Sequence, residues 1–342
     1  MKSVRIHTHG DASVLQCDDI VQPICELDKV ILEIKSTSIN HLDVWVRGGL
    51  PGLPIPLPLV MGSDASGIIT EVGQNVSNWK VGDAVVVQPG TFCGECESCI
   101  SGKENYCTHY GILGETENGV QAEFVSLSPK NIYPKALHLS FEEAASMPLV
   151  FMTAYQMLII RAQLQPNEIV LVYAATSGVG SAAIQIAKDR GATVIATVGA
   201  AEKFDHAQDM GADHIVNHYD KDWHKSVKAI VGKKGVNVIF EHVGSATWSY
   251  SMRLLGKGGR VVTCGATTGA KVHVDLAHLF MKQQTILGST MSDISSYKSV
   301  MDKINSGIFK PFVDRVFSFN EIQAAHERIE NGEQIGKIVL VL

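Results

Sequence analysis

The sequence predicts an α/β chain of two domains, and three observations carry that expectation. Its 342 residues, 45% hydrophobic and 19% charged, are enough to bury two cores and too apolar for a disordered chain. The first part is a run of short strands broken by turn residues. From about Phe141 the texture changes to helices alternating with apolar strands, the sequence form of βαβ units and a doubly wound parallel sheet.

The strand signals of the first part lie at 4–6, 30–34, 68–72, 84–88 and 123–126, and their spacing predicts an antiparallel barrel. A helix is expected over 142–160, then a buried strand over 169–173, a glycine-containing turn and a helix over 181–190. Strands are expected again at 194–197, 236–241 and 259–264. The last stretch reads as a helix at 296–306, a strand at 313–319, a helix at 320–331 and a strand at 337–341. These are too few to form a domain, so 289–342 is expected to complete the first one, 1–149, around a second domain at 150–288.

The formal net charge is −6 and no lysine or arginine stripe is present, which argues against nucleic acid or a membrane surface and leaves small molecules as the expected ligands. The segment from Met1 to Ile6 goes directly into a strand pattern instead of a secretory leader, and no apolar run reaches the roughly 18 residues of a membrane span. A cytoplasmic protein is expected.

Four of the seven cysteines, Cys93, Cys96, Cys99 and Cys107, have the spacing C-x2-C-x2-C-x7-C in a glycine-containing lobe. Two-residue gaps let thiolates of one loop converge on a tetrahedral zinc, and four thiolates close its shell to chemistry. Unliganded thiols or an iron–sulfur cluster are the alternatives, but the run lacks the short final gap and trailing proline of bacterial ferredoxins. Cys17, Cys25 and Cys264 have no such company.

The strand ending at Tyr173 runs into Ala174-Ala-Thr-Ser-Gly-Val-Gly180 and then a helix, the setting a phosphate-binding turn requires. Small residues, Ala175 and Ser177, allow close approach of a pyrophosphate, Gly180 allows tight helix-on-strand packing, and the helix start offers free N–H groups. The next strand ends at Val198, where an NAD site carries an acid for the ribose 2′-hydroxyl. Lys203, four residues after Gly199, is placed to meet a 2′-phosphate, so NADP(H) is the expected cofactor; a solvated surface lysine is the alternative.

The cysteine lobe, Gly62-Ser-Asp-Ala-Ser-Gly67, Glu71-Val-Gly73, Val81-Gly-Asp83 and the turn at 174–180 are together similar to the medium-chain dehydrogenase/reductase superfamily of zinc-type alcohol dehydrogenase-like proteins, over nearly the whole chain. The resemblance implies a GroES-like catalytic domain made of both chain ends, a Rossmann domain between them, a cleft at their junction and a homodimer or homotetramer. Zinc alcohol dehydrogenases of this superfamily hold a catalytic metal with Cys, His and Cys. The matching positions here are Asn40, Ser63 and Leu149, and Leu42 replaces the hydroxyl residue of the proton relay. Asp64 and Asp43 remain nearby but make a poor zinc set.

Asn40-His-Leu-Asp-Val-Trp-Val-Arg47, Gly62-Ser-Asp64 and Ala196-Thr-Val198 instead resemble the quinone oxidoreductase and enone or enoyl reductase branch, here with a retained structural-zinc lobe as in archaeal acryloyl-CoA reductases. That likeness implies hydride transfer from NADPH to an activated C=C or a quinone without catalytic zinc. Asn40, Ser63 and Asp64 are the candidate catalytic residues, the first two as hydrogen-bond donors to a developing oxyanion; Asn40 as a satisfied core amide is the alternative. The resemblance puts His41, Thr153, Ser177, Gly178, Val179, Gly180, Lys203, Val243, Gly265, Ala266, Leu287, Gly288 and Ser289 on the cofactor. It also puts Phe151, Leu279, Phe280 and Met291 around an apolar pocket, and leaves His41 or Tyr155 as proton donor. Two rivals stay open: an alcohol or polyol dehydrogenase with a rearranged metal site, and a cofactor-binding protein without turnover.

Overall fold

Period-two burial builds the first sheet. In the strand Val30–Ser38, the side chains of Val30, Leu32 and Ile34 face a core that also holds Ala65, Ile69, Val85, Val87 and Val125. That strand pairs antiparallel with Asp64–Val72, Phe124–Leu127 and Lys337–Val341. The seven-stranded sheet is antiparallel except where Val313–Ser318 runs parallel to Lys337–Val341. A second core, with Ile39, Val46, Ile322, Ala325, Ile329, Ile338 and Leu340, packs the helices His41–Gly48 and Ile322–Glu330 on this unit.

The computed structural model describes residues 1–342, and they fall into two units. The first is Met1–Leu149 with Asp293–Tyr297 and Lys310–Leu342; the second is Val150–Ser292 with Lys298–Phe309. The tail expected to complete the first unit whole is therefore divided. Its segment Lys298–Phe309 stays with the second because Val300, Met301 and Ile304 are buried, Phe309 stacks on Phe151 at 5.3 Å and Lys303 pairs with Asp189 at 2.9 Å.

The second unit is a six-stranded parallel sheet of Ile169–Val172, Thr193–Val198, His214–Asn217, Val236–Glu241, Leu255–Thr263 and Thr285–Gly288. In space the strands run third, second, first, fourth, fifth, sixth. The order reverses between the first and fourth strands, and in such sheets ligands bind beyond the strands' carboxyl ends at that point. Two of the six strands, at 214–217 and 285–288, are too short and too mixed for a periodicity signal.

The long helix expected over 142–160 is interrupted. A capping box starts it: Ser140 Oγ accepts from Glu143 N–H at 3.1 Å and the Glu143 carboxylate accepts from Ser140 N–H at 2.8 Å. It breaks before Pro148, which lacks an N–H and clashes with the preceding turn, and then continues as Pro148–Tyr155 and a π segment, Gln156–Arg161. The stretch Phe141–Arg161 is long and apolar enough to cross a membrane by length and composition, but 72% of its apolar window is buried inside the protein, as in a core helix.

Candidate active site and metal centre

The four-cysteine lobe hangs from a two-stranded ribbon, Gly90–Thr91 against Gly111–Ile112, that closes the loop at its base. The sulfur atoms of Cys93, Cys96, Cys99 and Cys107 all lie within 4.8 Å of one another, with Cys96–Cys99 and Cys93–Cys107 at 3.5 Å and Cys93–Cys99 at 3.9 Å. A tetrahedron of sulfurs about 2.3 Å from zinc has edges of about 3.8 Å, so the spacing fits the ion. Backbone N–H groups of Glu95 and Cys96 hold the Cys93 thiol down at about 6, burial pushes the Cys99 thiol up to about 12, and His109 N–H donates to Cys107 Sγ at 3.3 Å.

The second constellation is fully buried. Asp64 Oδ2 accepts from Asn40 Nδ2 at 2.9 Å, Lys337 Nζ at 3.1 Å and Ser38 Oγ at 3.2 Å, and Asp64 Oδ1 accepts from Leu149 N–H at 2.8 Å. Lys337 Nζ also donates to Asn40 Oδ1 at 2.5 Å. The sheet register creates this meeting: Ser38 stands opposite both Asp64 and Val339, and continuing the second pairing by two residues sets Lys337 opposite Asn40. Asp43 Oδ2 accepts from Asn40 N–H at 2.7 Å at the start of the helix His41–Gly48, the turn-backbone role that its position suggests. Burial pushes the Asp43 carboxyl up to about 7, against the pull of hydrogen bonding from Asn40 and the charge of Lys337. Burial likewise pulls the Lys337 ammonium below its ordinary range, although the Asp64 carboxylate opposes this.

Asn40 and Asp64 are thus brought together, and Ser63 is not with them. Its hydroxyl is buried and donates to Leu113 O at 2.8 Å, because the chain alternates faces between Ser63 and Asp64. A role for Ser63 as a hydrogen-bond donor would require breaking that bond. Lys337 was given no role by sequence reasoning, although it stands in the closing Gly336-Lys-Ile-Val339 segment that the resemblance covers.

In the second unit the phosphate turn has the geometry that its small residues imply. Ser177 Oγ accepts from Gly180 N–H at 3.1 Å and caps the helix Gly178–Asp189, which begins with Gly178, Val179 and Gly180. A Cβ on Gly180 would lie 2.5 Å from Ala174 O and 2.9 Å from Ala175 Cα, so no larger residue fits there. Val243, Gly265, Ala266, Leu287, Gly288 and Ser289 lie at or just beyond the carboxyl ends of strands, on the edge where a dinucleotide belongs. The hydroxyls of Thr153 and Ser289 are buried without a hydrogen-bond partner, as groups awaiting a ligand would be. Val198 ends its strand buried, with no carboxylate there. The loop after the third strand sets His218 against Gly199, where a Cβ would come within 3.2 Å of its Nε2. Burial first and the charge of Lys203 second hold the His218 imidazolium below its usual range, so two basic side chains are neighbours here. His218 was the second residue missed, since a histidine in a turn carries no signal by itself.

The remaining expectations scatter. His41 belongs to the first unit, edge-on to Trp45 at 5.8 Å. Phe151 and Met291 are buried, Phe151 against Phe309, whereas Phe280 is 66% exposed.

Two family models match this chain: "Alcohol dehydrogenase GroES-like domain" over residues 26–136 and "Zinc-binding dehydrogenase" over 178–306. A crotonyl-CoA carboxylase/reductase of Cereibacter sphaeroides is 31% identical over 358 residues, covering 96% of this chain and 83% of its own. The chain belongs to the medium-chain dehydrogenase/reductase superfamily. A quinone oxidoreductase of Homo sapiens is 28% identical, covering 100% of this chain and 98% of its own. The crystal structure of an NAD-dependent alcohol dehydrogenase superposes with a TM-score of 0.96 at 40% identity, covering both chains completely. As a member of this superfamily the protein is an oxidoreductase with a GroES-like unit and a Rossmann unit.

Metal analysis of this medium-chain enzyme should find one tightly held zinc per chain, and Cys96→Ser should lose it together with melting temperature; unchanged metal content in that variant would refute the four-thiolate site. Asp43 gives a second expected outcome. Between its ordinary value near 3.8 and about 7, the folded protein keeps a proton that the unfolded chain has released. Stability therefore falls with rising pH in that window, by up to about 1.4 kcal/mol per pH unit from this group. Asp43→Asn removes the dependence, so the melting temperature of the variant minus that of the natural protein should rise from pH 4.5 to 7; a constant difference would count against it.

Proposed function

We propose that this protein transfers a hydride from NADPH to an activated C=C or a quinone, such as an enone, a quinone or a short enoyl-CoA, without a catalytic metal. The observation that carries this reading is the Asp64 site. The three positions that hold a catalytic zinc in alcohol dehydrogenases of the superfamily are Asn40, Ser63 and Leu149, and the adjacent carboxylate is already engaged by four donors, one of them the Lys337 ammonium. A divalent ion bound to Asp64 would sit against that ammonium, which both repels it and competes for the carboxylate. A conjugated carbonyl needs no such ion, because its developing charge spreads onto oxygen and hydrogen-bond donors suffice.

In this reading Asn40 donates from Nδ2 to the substrate oxygen, and Asp64 positions Asn40. Ser177, Gly178, Val179 and Gly180 take the pyrophosphate at the helix start. Thr153, Val243, Gly265, Ala266, Leu287, Gly288 and Ser289 take the nicotinamide half, and His41 is assigned to the cofactor from the resemblance alone. Lys203, with His218 beside it, takes the 2′-phosphate. When bound, the cofactor supplies the hydride. The names of the crotonyl-CoA carboxylase/reductase and quinone oxidoreductase relatives support this substrate class. A homodimer or homotetramer is proposed from the same resemblance.

A second reading, an NAD-dependent alcohol dehydrogenase, has the 40% identity to a structure of that name in its favour. Cofactor titration separates the two. A charge-assisted contact to the 2′-phosphate is worth about 1.5–3 kcal/mol, or about tenfold or more in affinity, so NADPH should bind tighter than NADH and Lys203→Ala should erase the difference. Equal affinities in the natural protein would favour the second reading.

The reaction itself is tested by monitoring NADPH absorbance against a panel of acceptors in the presence of a chelator. Enones, quinones and short enoyl-CoA esters should be reduced, and simple alcohols and unconjugated ketones should react poorly. Robust alcohol oxidation would overturn the proposal, and binding of NADPH with no turnover across the panel would move the protein to the non-enzymatic class.

A further inference from the structure

The Asn40–Asp64–Lys337 cluster is more specific than charge neutralisation requires. Charge balance needs only a contact between Lys337 and Asp64, yet Lys337 Nζ donates both to Asp64 Oδ2 and to Asn40 Oδ1. We infer that Lys337 is a positioning residue for the reaction: it locks the Asn40 amide in the one orientation that offers an N–H, rather than a carbonyl, to a substrate oxygen.

Hydrogen-bonding chemistry allows only one arrangement of these three side chains. An ammonium has three donors and no acceptor, so the amide atom facing Lys337 is the oxygen. A carboxylate is acceptor-only, so the amide atom facing Asp64 is the nitrogen, at 2.9 Å. A flipped amide would set its NH2 against an ammonium and its oxygen against a carboxylate, two repulsions in a site where Asp64 is fully buried and Asn40 and Lys337 are each 5% exposed. The side-chain nitrogen of Asn40 has Asp64 as its single partner, so its second hydrogen remains to be given. Lys337 also draws charge toward Oδ1, which makes that hydrogen a stronger donor. The backbone fixes the arrangement independently: Ile39 N–H donates to Ile338 O at 2.9 Å, so the strand carrying Lys337 cannot slide past Asn40 without losing its pairing.

This inference rests on the reading of Asn40 as oxyanion donor, and the experiment separates the two. With asparagine labelled in 15N, the side-chain NH2 signals of Asn40, assigned by their loss in Asn40→Asp, should be slow to exchange with solvent in the natural protein and should shift and exchange quickly in Lys337→Met. In the acceptor assay Lys337→Met should lose about tenfold or more in kcat with little change in KM, the pattern of an interaction made only in the transition state. In Lys337→Ala, propylamine should restore part of that kcat together with the position and slow exchange of the Asn40 NH2 signals, whereas a lysine that only balances charge would leave those signals unchanged throughout. Should Lys337→Met fail to fold, the exchange rate in the natural protein and the amine response of Lys337→Ala still decide the matter. Fast exchange at Asn40 in the natural protein, or normal kcat and unshifted Asn40 signals in Lys337→Met, overturns the inference. If the natural protein reduces no conjugated acceptor while the Asn40 signals behave as expected, the proposed reaction falls and the amide lock stands.

Discussion

Much of the first unit is organised around one buried carboxylate. Asp64 accepts hydrogen bonds from Ser38, Asn40, Lys337 and the backbone of Leu149, groups that belong to two other strands or their ends and to the start of a helix. A fully buried anion is tolerated only when it is paired and its lone pairs are filled, and Asp64 meets both conditions. The consequence is geometric as well as energetic. Removing Lys337 leaves charge uncompensated in the core and removing a neutral donor leaves a buried lone pair unfilled, so the strand that ends at Ser38, the strand that starts at Asp64 and the strand that starts at Lys337 are held in a single register.

The same carboxylate connects structure with chemistry. In zinc enzymes of this superfamily the neighbouring positions supply thiolate and imidazole ligands; here they are an amide, a hydroxyl turned elsewhere and a leucine. What remains positive at this point in the fold is an ammonium on a side chain, anchored on both sides. A fixed cation of this kind can orient a donor but has no open coordination position. The two kinds of polar site in the chain differ in their donors: four sulfurs lie within 4.8 Å of one another in the lobe, whereas the Asp64 carboxylate is already paired with an ammonium.

Resemblance to named relatives pulls in two directions, since a reductase and a quinone oxidoreductase are 31% and 28% identical and the structure called an alcohol dehydrogenase is 40% identical. That is expected where one fold hosts several hydride-transfer reactions and a few side chains choose among them. In the proposed reading, Val198, Lys203 and His218 make that choice at the ribose end, and Asn40, Asp64 and Lys337 make it at the substrate end.

Some of this is local and therefore legible in the sequence by itself. Strand and helix periods, the alternation that announces a parallel sheet, the glycine at 180, the four-cysteine spacing and the loss of the usual ligands at 40, 63 and 149 all depend on residues close in the chain. The last strand, Lys337–Val341, matched its expected bounds for the same reason. The interrupted helix near Pro148 was half legible, because the proline was visible but the π segment after it reflects packing. Tertiary structure alone decided which side chains meet. Lys337 reaches Asn40 across 297 positions of chain and Asp64 across 273, and only the strand register between them sets that encounter. It also divided the tail between the two units and turned Ser63 away from its neighbour. A pattern of polar and apolar residues specifies which face each residue occupies, but the partner across the sheet is chosen by pairing between distant strands, and no short window of sequence contains both.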